Sequence, residues 1–332
     1  SYLAHHCLSG SERVYQFLSD LSPASLSAII APAQSMSTNE EVGSMNEVKL
    51  AVIGGSGVYD IEALTDIEEW QTSTPFGDPS DTITIGTLSA TRIAFLPRHG
   101  RGHRLTPTEV PYRANIWALK SLGVERIISL SACGSMKEEY EPRHIVIPDQ
   151  IYDNTKKRDY SFFGDGLVAH IGIAEPFCPH LRPLLREATE KAGGIVHMGG
   201  TFITIEGPRF STRGESDIYR SWGIDIIGMT AVPEAQLARE AEICYATMAH
   251  VTDYDVWHEE EEAVTVEMLI ANLMANAALS KRTIAELVHL LPDERPCDCG
   301  QTLSASIITQ RDLIPADKIE QLGPIVAEHL GT

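Results

Sequence analysis

Short apolar segments recur along this chain, each followed by a loop rich in glycine, basic or small polar residues. Segments 48–53, 91–96 and 126–130 have the length and composition of buried β-strands. Segments with helical spacing of apolar residues, such as 111–122 and 264–291, lie between and after them. Strands that alternate with helices predict the α/β class, with a mixed and largely buried central sheet flanked by helices.

Composition divides the chain into three parts. Residues 1–44 are rich in Ser, Ala and Leu, and we expect a flexible N-terminal extension there. No linker interrupts residues 45–292, which predicts a single domain over that stretch. A turn-rich segment begins at Pro292, so residues 293–332 are predicted to form a C-terminal arm with a short helix.

Charge and hydropathy exclude several classes of function. The chain of 332 residues holds 26 Lys and Arg against 46 Asp and Glu, a formal net charge of −20. Such a surface repels nucleic acid and anionic lipid, so neither is an expected partner. No apolar run approaches the roughly 18 residues that a membrane-spanning helix needs, and no membrane association is expected.

Three of the predicted strand ends carry groups that bind anions. Residues 54–57 could form a nest of backbone N–H groups with the Ser56 hydroxyl, although a tight turn explains these glycines equally well. Residues 98–104 hold three Arg and two His in an otherwise acidic chain, and residues 131–135 again offer hydroxyls. Because α/β proteins bind ligands at the carboxyl ends of their strands, we expect one site for a small anion here.

A pair of acids closes the apolar strand predicted over 243–252. Asp253 and Asp255 are two positions apart, so their side chains would point the same way if the strand stays extended. A carboxylate accepts from an amino group, and a protonated carboxyl donates to a ring nitrogen. The pair could therefore contact a nitrogenous base, and a cap for the next helix is an equally open interpretation.

Taken together, these segments resemble the trimeric purine nucleoside phosphorylases over residues 47–290. The signature runs from Leu96-x3-Gly100-x2-His103-x-Leu105 to Ser131-Ala-Cys-Gly-Ser-Met136. Further matching motifs occur in the same order, at 54–57, 74–77, 114–120, 174–178, 204–210, 229–234 and 252–255. Within the family, the chain is most similar to the branch that acts on 5′-methylthioadenosine.

The resemblance implies phosphorolysis of 5′-methylthioadenosine to adenine and 5-methylthioribose 1-phosphate, a step of purine and methionine salvage. The phosphate-binding residues that it implies are Ser56, Arg98, His99, Ser131, Ala132 and Thr230. The nucleoside-binding residues that it implies are Met229, Phe210, His170, Asp253 and Asp255, with the two aspartates as the catalytic groups. Ser211 and Val266 match positions linked to substrate preference.

The resemblance also implies a homotrimer, which could pair into a hexamer, with His170 entering a neighbour's pocket. It implies no cofactor and no metal, because phosphate is a co-substrate. Six cysteines are too few for a disulfide scaffold, so we expect reduced thiols and a cytoplasmic location. Cys297 and Cys299 supply only two sulfurs, which argues against structural zinc; a disulfide between them, as in some thermophilic relatives, is the alternative to free thiols.

Three other functions remain open. A phosphorylase for 6-oxopurine nucleosides, such as methylthioinosine or inosine, would favour an amide at position 253, so Asp253 argues against it. A catalytically silent nucleoside-binding protein would not need the intact pair Arg98 and His99. A hydrolytic nucleosidase would release the base without phosphate, so it would have no use for the phosphate site.

Overall fold

The protein is described here by a computed structural model that covers residues 48–55, 63–258 and 266–331, with the backbone alone for residues 266–274. The predicted N-terminal extension, residues 1–44, lies outside the described residues. Within the described ranges, no helix is both long enough and apolar enough to cross a membrane.

The strands of the described chain join into one sheet of eleven. They are β1 (Leu50–Gly54), β2 (Thr65–Trp70), β3 (Ile83–Leu88), β4 (Thr91–Pro97), β5 (Arg126–Ser135), β6 (Ile145–Ile147), β7 (Gln150–Asn154), β8 (Val196–Met198), β9 (Thr201–Ile205), β10 (Ile226–Gly228) and β11 (Cys244–Asp253). Their order is β2-β3-β4-β1-β5-β10-β9-β7, while β11 pairs with β5 and β6, and β6 pairs with β8.

Helices connect and follow these strands. In the described ranges they are α1 (Tyr112–Ser121), α2 (Leu181–Lys191), α3 (Arg213–Ser221), α4 (Ala231–Glu240), α5 (Val266–Leu287), α6 (Ala316–Leu322) and α7 (Ala327–Leu330). Short 3-10 turns cover Asp298–Gln301, Arg311–Leu313 and Gly323–Ile325.

Four strands at the centre of the sheet, β4, β1, β5 and β11, run parallel to one another. The pairs β2–β3, β3–β4, β5–β10 and β6–β11 are antiparallel. The predicted α/β class with a mixed sheet is therefore confirmed. Because the four central strands are parallel, their carboxyl ends meet at one edge of the sheet.

Alternating side chains of the central strands build two cores, one on each face of the sheet. Along β1, Ala51 and Ile53 join the core that includes side chains of α1 and α4. Leu50 and Val52 point to the opposite face and join the core that includes side chains of α2 and α5. Strands that are apolar on both faces are typical of a sheet covered by helices on both sides.

The residues of the predicted C-terminal arm contribute to the same cores. Leu303, Leu322 and Ile325 are buried in the core on the α1 side. The indole N–H of Trp117 in α1 donates to the carbonyl of Leu322 (3.1 Å). The backbone N–H of Leu303 donates to the Glu242 carboxylate (2.8 Å). Apolar contacts and hydrogen bonds therefore hold this segment against the domain.

Candidate active site

The carboxyl ends of the central strands bring the predicted anion-binding segments together. The N–H of Arg98, the residue after β4, donates to the carbonyl of Gly54 at the end of β1 (2.9 Å). Asp253, at the end of β11, pairs with Gly134 of β5 in the strand register. Ser56 lies outside the described residues, and Val266 begins α5 in the part where only the backbone is described.

Arg98 is buried among the strand ends, with 2% of its surface exposed. Its guanidinium forms a bidentate ion pair with Glu234, from Nε to Oε2 (2.7 Å) and from Nη2 to Oε1 (2.8 Å). Nη1 donates to the carbonyl of Leu130 (2.9 Å), and Nη2 also donates to the hydroxyl of Ser129 (2.7 Å). Burial alone would lower the pKa of Arg98, but the charge and hydrogen bonds of Glu234 outweigh it and raise that pKa.

Glu234 is the partner that the sequence analysis did not find. Its carboxylate also accepts hydrogen bonds from the hydroxyls of Ser129 (2.9 Å) and Tyr245 (2.8 Å). The fork of Arg98 therefore faces a protein carboxylate, and the bonds described above use four of its five N–H groups. The phosphate-binding role of Arg98 stays a prediction. It now rests on the second Nη1 hydrogen and on the positive charge of the guanidinium.

The ring of His99 is fixed by a closed loop of backbone. Its Nδ1 lies 2.9 Å from the carbonyl of Leu105, whose own N–H donates to the His99 carbonyl (3.0 Å). A carbonyl only accepts, so Nδ1 carries the proton. Burial first, and then the charge of Arg98, lower the pKa of His99 to about 4. The ring is therefore neutral near pH 7, with Nε2 as an acceptor for a ligand hydroxyl.

Two hydroxyls predicted to bind phosphate meet beside the second half of β5. The Oγ of Ser131 lies 2.6 Å from the Oγ1 of Thr230, the residue that precedes α4. Both side chains are buried, while the neighbouring Ala132 is exposed to solvent. These three predicted residues therefore lie at one place, between the second half of β5 and the start of α4.

The two aspartates are held by different contacts. The chain leaves the strand at Asp253, and Asp255 has a positive φ of 28°, so the extended geometry that the sequence analysis assumed does not continue. Asp253 instead accepts from the Asp255 N–H (3.0 Å) and from the Thr252 hydroxyl (2.6 Å). Asp255 accepts from the hydroxyls of Ser211 (2.9 Å) and Ser216 (2.5 Å).

The predicted nucleoside residues lie around this pair. Ser211, proposed from the sequence to set substrate preference, contacts Asp255 directly. Phe210, beside it, is 76% exposed. Met229 follows β10 and lies so close to Gly207 that its sulfur would be 2.6 Å from a Cβ there. His170 is exposed and is anchored by its backbone N–H to the carbonyl of Ser306 (2.9 Å).

Comparisons with known proteins decide the family. The phosphorylase superfamily matches this sequence over residues 49–289. The chain belongs to the phosphorylase superfamily. Relatives named S-methyl-5′-thioadenosine phosphorylase, from Koribacter versatilis (strain Ellin345) and Geobacter sulfurreducens, are 50% and 52% identical to it. Each alignment covers 86% of this chain, and 98% and 100% of the relative.

Solved phosphorylase structures share the fold. A methylthioadenosine phosphorylase from an Antarctic soil metagenomic library has a TM-score of 0.82 and 48% identity, over 84% of this chain and 99% of that chain. The Schistosoma mansoni methylthioadenosine phosphorylase in complex with adenine has a TM-score of 0.74 and 38% identity, over 80% of this chain and 100% of that chain.

Removing Arg98 should unfold the protein more readily, because Glu234 would stay charged and unpaired in the interior. We expect Arg98→Met to lower the free energy of unfolding by about 3–5 kcal/mol, measured by urea denaturation. Adding Glu234→Gln should restore most of that loss, because it removes the buried charge.

An exposed ion pair supplies the control for this prediction. Arg209 pairs with Glu215 on the surface, where solvent screens the charges, so Arg209→Met should change the free energy of unfolding much less than Arg98→Met does. A loss in Arg98→Met as small as in this control would show that the buried pair contributes little to folding.

The pKa of His99 predicts a pH dependence of stability. The folded protein keeps the ring neutral down to about pH 4, whereas the ordinary pKa is 6.5. The unfolded chain binds the proton first, so the contribution of His99 to stability should be constant above about pH 6.5 and fall as the pH drops towards 4. His250, whose pKa burial also lowers to about 4, adds to the same slope. Glu240, whose pKa burial raises to about 7, contributes a slope of the opposite sign in the same range.

The contribution of His99 is therefore measured as a difference. The free energy of unfolding is followed from pH 4 to pH 8 for the wild type and for His99→Gln. The variant should lose less stability towards pH 4. Parallel curves for the two proteins would contradict the assignment of a lowered pKa to His99.

Proposed function

We propose that this protein catalyses the phosphorolysis of 5′-methylthioadenosine, which gives adenine and 5-methylthioribose 1-phosphate. The observation that carries the proposal is the arrangement of two groups on one strand. The hydroxyl of Ser131 on β5 contacts that of Thr230, and Asp253 of β11 pairs with Gly134, three residues further along β5. At about 3.3 Å per residue this separation is about 10 Å, the scale of a nucleoside.

The relatives agree with this assignment of substrate. Proteins named S-methyl-5′-thioadenosine phosphorylase are about half identical to this chain over almost their whole length. A variant of the Schistosoma mansoni adenosine/methylthioadenosine phosphorylase has been crystallised with methylthioadenosine itself.

At the phosphate end, the protein binds an anion that is already a nucleophile. Breaking the bond between C1′ and N9 leaves positive charge on the ribose ring, and a phosphate oxygen held next to C1′ stabilises that charge and then forms the new bond. Ser131, Thr230 and the Ala132 backbone hold the phosphate in this proposal. The neutral His99 accepts from the phosphate hydroxyl, so it orients the anion without competing for its charge.

At the base end, the leaving purine gathers negative charge and takes up one proton, which balances the proton that phosphate loses when it becomes an ester. Asp253 contacts the base: protonated, it donates to N7, and ionised, it accepts from the 6-amino group. Asp255, held by Ser211 and Ser216, donates its backbone N–H to Asp253 and so fixes the orientation of that carboxyl group.

The active protein in this proposal is a homotrimer with shared sites, located in the cytoplasm. Support for sharing comes from the surface around His170. Val168 and Ile308 are exposed apolar residues beside it, and the N–H of Ile308 donates to the carbonyl of Val168 (3.0 Å). A neighbouring subunit that covers Val168 and Ile308 would bury their apolar surface. His170 would then lie next to that neighbouring subunit. The cytoplasmic location rests on the low cysteine content.

Adenine release tests the reaction directly. With phosphate present, the protein should release adenine from 5′-methylthioadenosine and form one equivalent of the sugar phosphate. Without phosphate, release should stop. Release that continues without phosphate would identify a hydrolase, and a preference for methylthioinosine would identify an oxopurine phosphorylase.

Asp253 should set the choice of base. Asp253→Asn can donate to a 6-oxo group but no longer offers a carboxylate to the 6-amino group. The ratio of kcat/KM for methylthioadenosine to that for methylthioinosine should fall by roughly 5- to 150-fold, the effect of one mispaired buried polar contact. Asp217→Asn, an exposed change on α3, should leave the ratio unchanged. If both variants give the wild-type ratio, Asp253 does not contact the base.

Shared sites can be tested by mixing inactive subunits. His170→Ala and Asp253→Ala should each reduce activity as pure proteins. Mixed trimers formed by coexpression should regain part of it, because some sites combine an intact Asp253 with an intact His170 from a neighbour. If the mixed oligomers are no more active than the pure variants, both residues act within one chain.

A further inference from the structure

Four cysteines from three distant parts of the chain meet at the amino end of β11, in the core that includes side chains of α2 and α5. This end of the strand is opposite to the one that carries Asp253. Cys178 precedes α2, Cys244 begins β11, and Cys297 and Cys299 belong to the C-terminal segment. All four sulfurs lie within 4.8 Å of one another. Cys244 and Cys297 are 3.3 Å apart, and Cys178 and Cys297 are 3.7 Å apart, measured between sulfurs.

We propose that these four cysteines bind one zinc ion. Zinc in structural sites is held by four thiolates in a tetrahedron with bonds of about 2.3 Å, which separates the sulfurs by about 3.8 Å. The distances in this cluster scatter around that value, whereas a disulfide would need about 2.05 Å. The sulfurs are thus placed as four separate ligands around one centre.

The surroundings of the cluster suit a negatively charged centre. Four thiolates around one Zn²⁺ carry a net charge of −2, since the ion replaces four thiol protons. The guanidinium of Arg239 lies against the Cys299 sulfur (Nη1 to Sγ 3.5 Å), and the N–H of Leu181 donates to the Cys178 sulfur (3.4 Å). Hydrogen bonds of this kind stabilise metal-bound thiolates.

An ion can also reach the cluster. A cavity of about 260 Å³ is lined by Cys178, Cys244 and Cys297 together with Arg126 and Arg295. Cys297 is half-buried, while the other three cysteines are buried. Both arginines lie close to the Glu125 carboxylate (3.4 and 3.7 Å), so the three groups together leave one positive charge at the cavity, which offsets part of the charge of the thiolates.

Zinc is not expected from the sequence, because only two sulfurs lie close together along the chain. The fold supplies the other two, so that argument no longer applies. A metal at this place would tie the C-terminal segment to the start of β11 and to the residues before α2. The zinc site is separate from the proposed active site, so a test of zinc binding does not depend on which substrate the protein uses.

Metal content is the first test. The untagged protein, purified without chelators and with thiols kept reduced by a phosphine, should contain about one zinc ion per chain by mass spectrometry of the elements. Cys297→Ser, which changes the most accessible ligand, and Cys299→Ser should lose most of it. Cys133→Ser is the matched control, because Cys133 is buried in the sheet outside the cluster, and it should keep the metal.

Cobalt gives the second test, which does not depend on the zinc of the host cell. The reduced, metal-free protein titrated with Co²⁺ should show strong visible bands and a near-ultraviolet thiolate band that saturate at about one equivalent, as tetrahedral thiolate ligation does. Absence of these bands in the folded wild type would overturn the proposal. So would an intact mass lower by two or four hydrogens, measured under denaturing and non-reducing conditions in protein isolated without the phosphine, since disulfides would then occupy the sulfurs.

Discussion

The ion pair between Arg98 and Glu234 lies where the carboxyl ends of β4 and β1 meet the middle of β5. It joins the residue after β4 to α4, and it takes in the carbonyl of Leu130 and the hydroxyl of Ser129 from β5. A buried charge pair is stabilising only when its remaining donors and acceptors are satisfied. Here the hydroxyls of Tyr245 and Ser129 donate to the remaining acceptors of Glu234. The ion pair can therefore fix the positions of β4, β1, β5 and α4 relative to one another.

The same pair shapes the electrostatics of the site. In the proposed function Arg98 brings a positive charge close to the phosphate, and its ion pair with Glu234 offsets part of that charge. The charge of Arg98 also helps to keep His99 neutral. The hydroxyls of Ser131 and Thr230 can each donate or accept a hydrogen bond. This suits an anion that changes from free phosphate to ester during the reaction.

Much of the sheet could be predicted from the sequence, because its central strands are apolar on both faces. β1, β4 and β5 appear where the apolar segments indicate them. β2 was not predicted, since its acidic and exposed residues leave no apolar pattern. The stretch 195–205 has the apolar pattern of one strand, but it divides into β8 and β9 at Gly199 and Gly200, both of which have positive φ. Glycine pairs of this kind interrupt a strand without changing its hydropathy.

Contacts within the site could be predicted only where one segment supplies them. The motifs place Arg98 and Asp253 at strand ends, but the partner of Arg98 is 136 residues away along the chain, and nothing local marks Glu234 as that partner. Ser216, which holds Asp255, likewise lies on a surface helix with no distinguishing pattern. Such pairings depend on how strands and helices pack against one another. The spacing of residues along the sequence does not predict that packing.

β11 runs from Cys244 at one end to Asp253 at the other, and it pairs with β5 in one register up to Val251, after which the register shifts before Asp253. A slip of one residue would turn every side chain to the opposite face. The strand is therefore a poor place for natural variation to accumulate through insertion or deletion. New substrate preferences in this lineage should arise instead by exchange of single side chains around Asp253, or by changes of length in the loops that follow it.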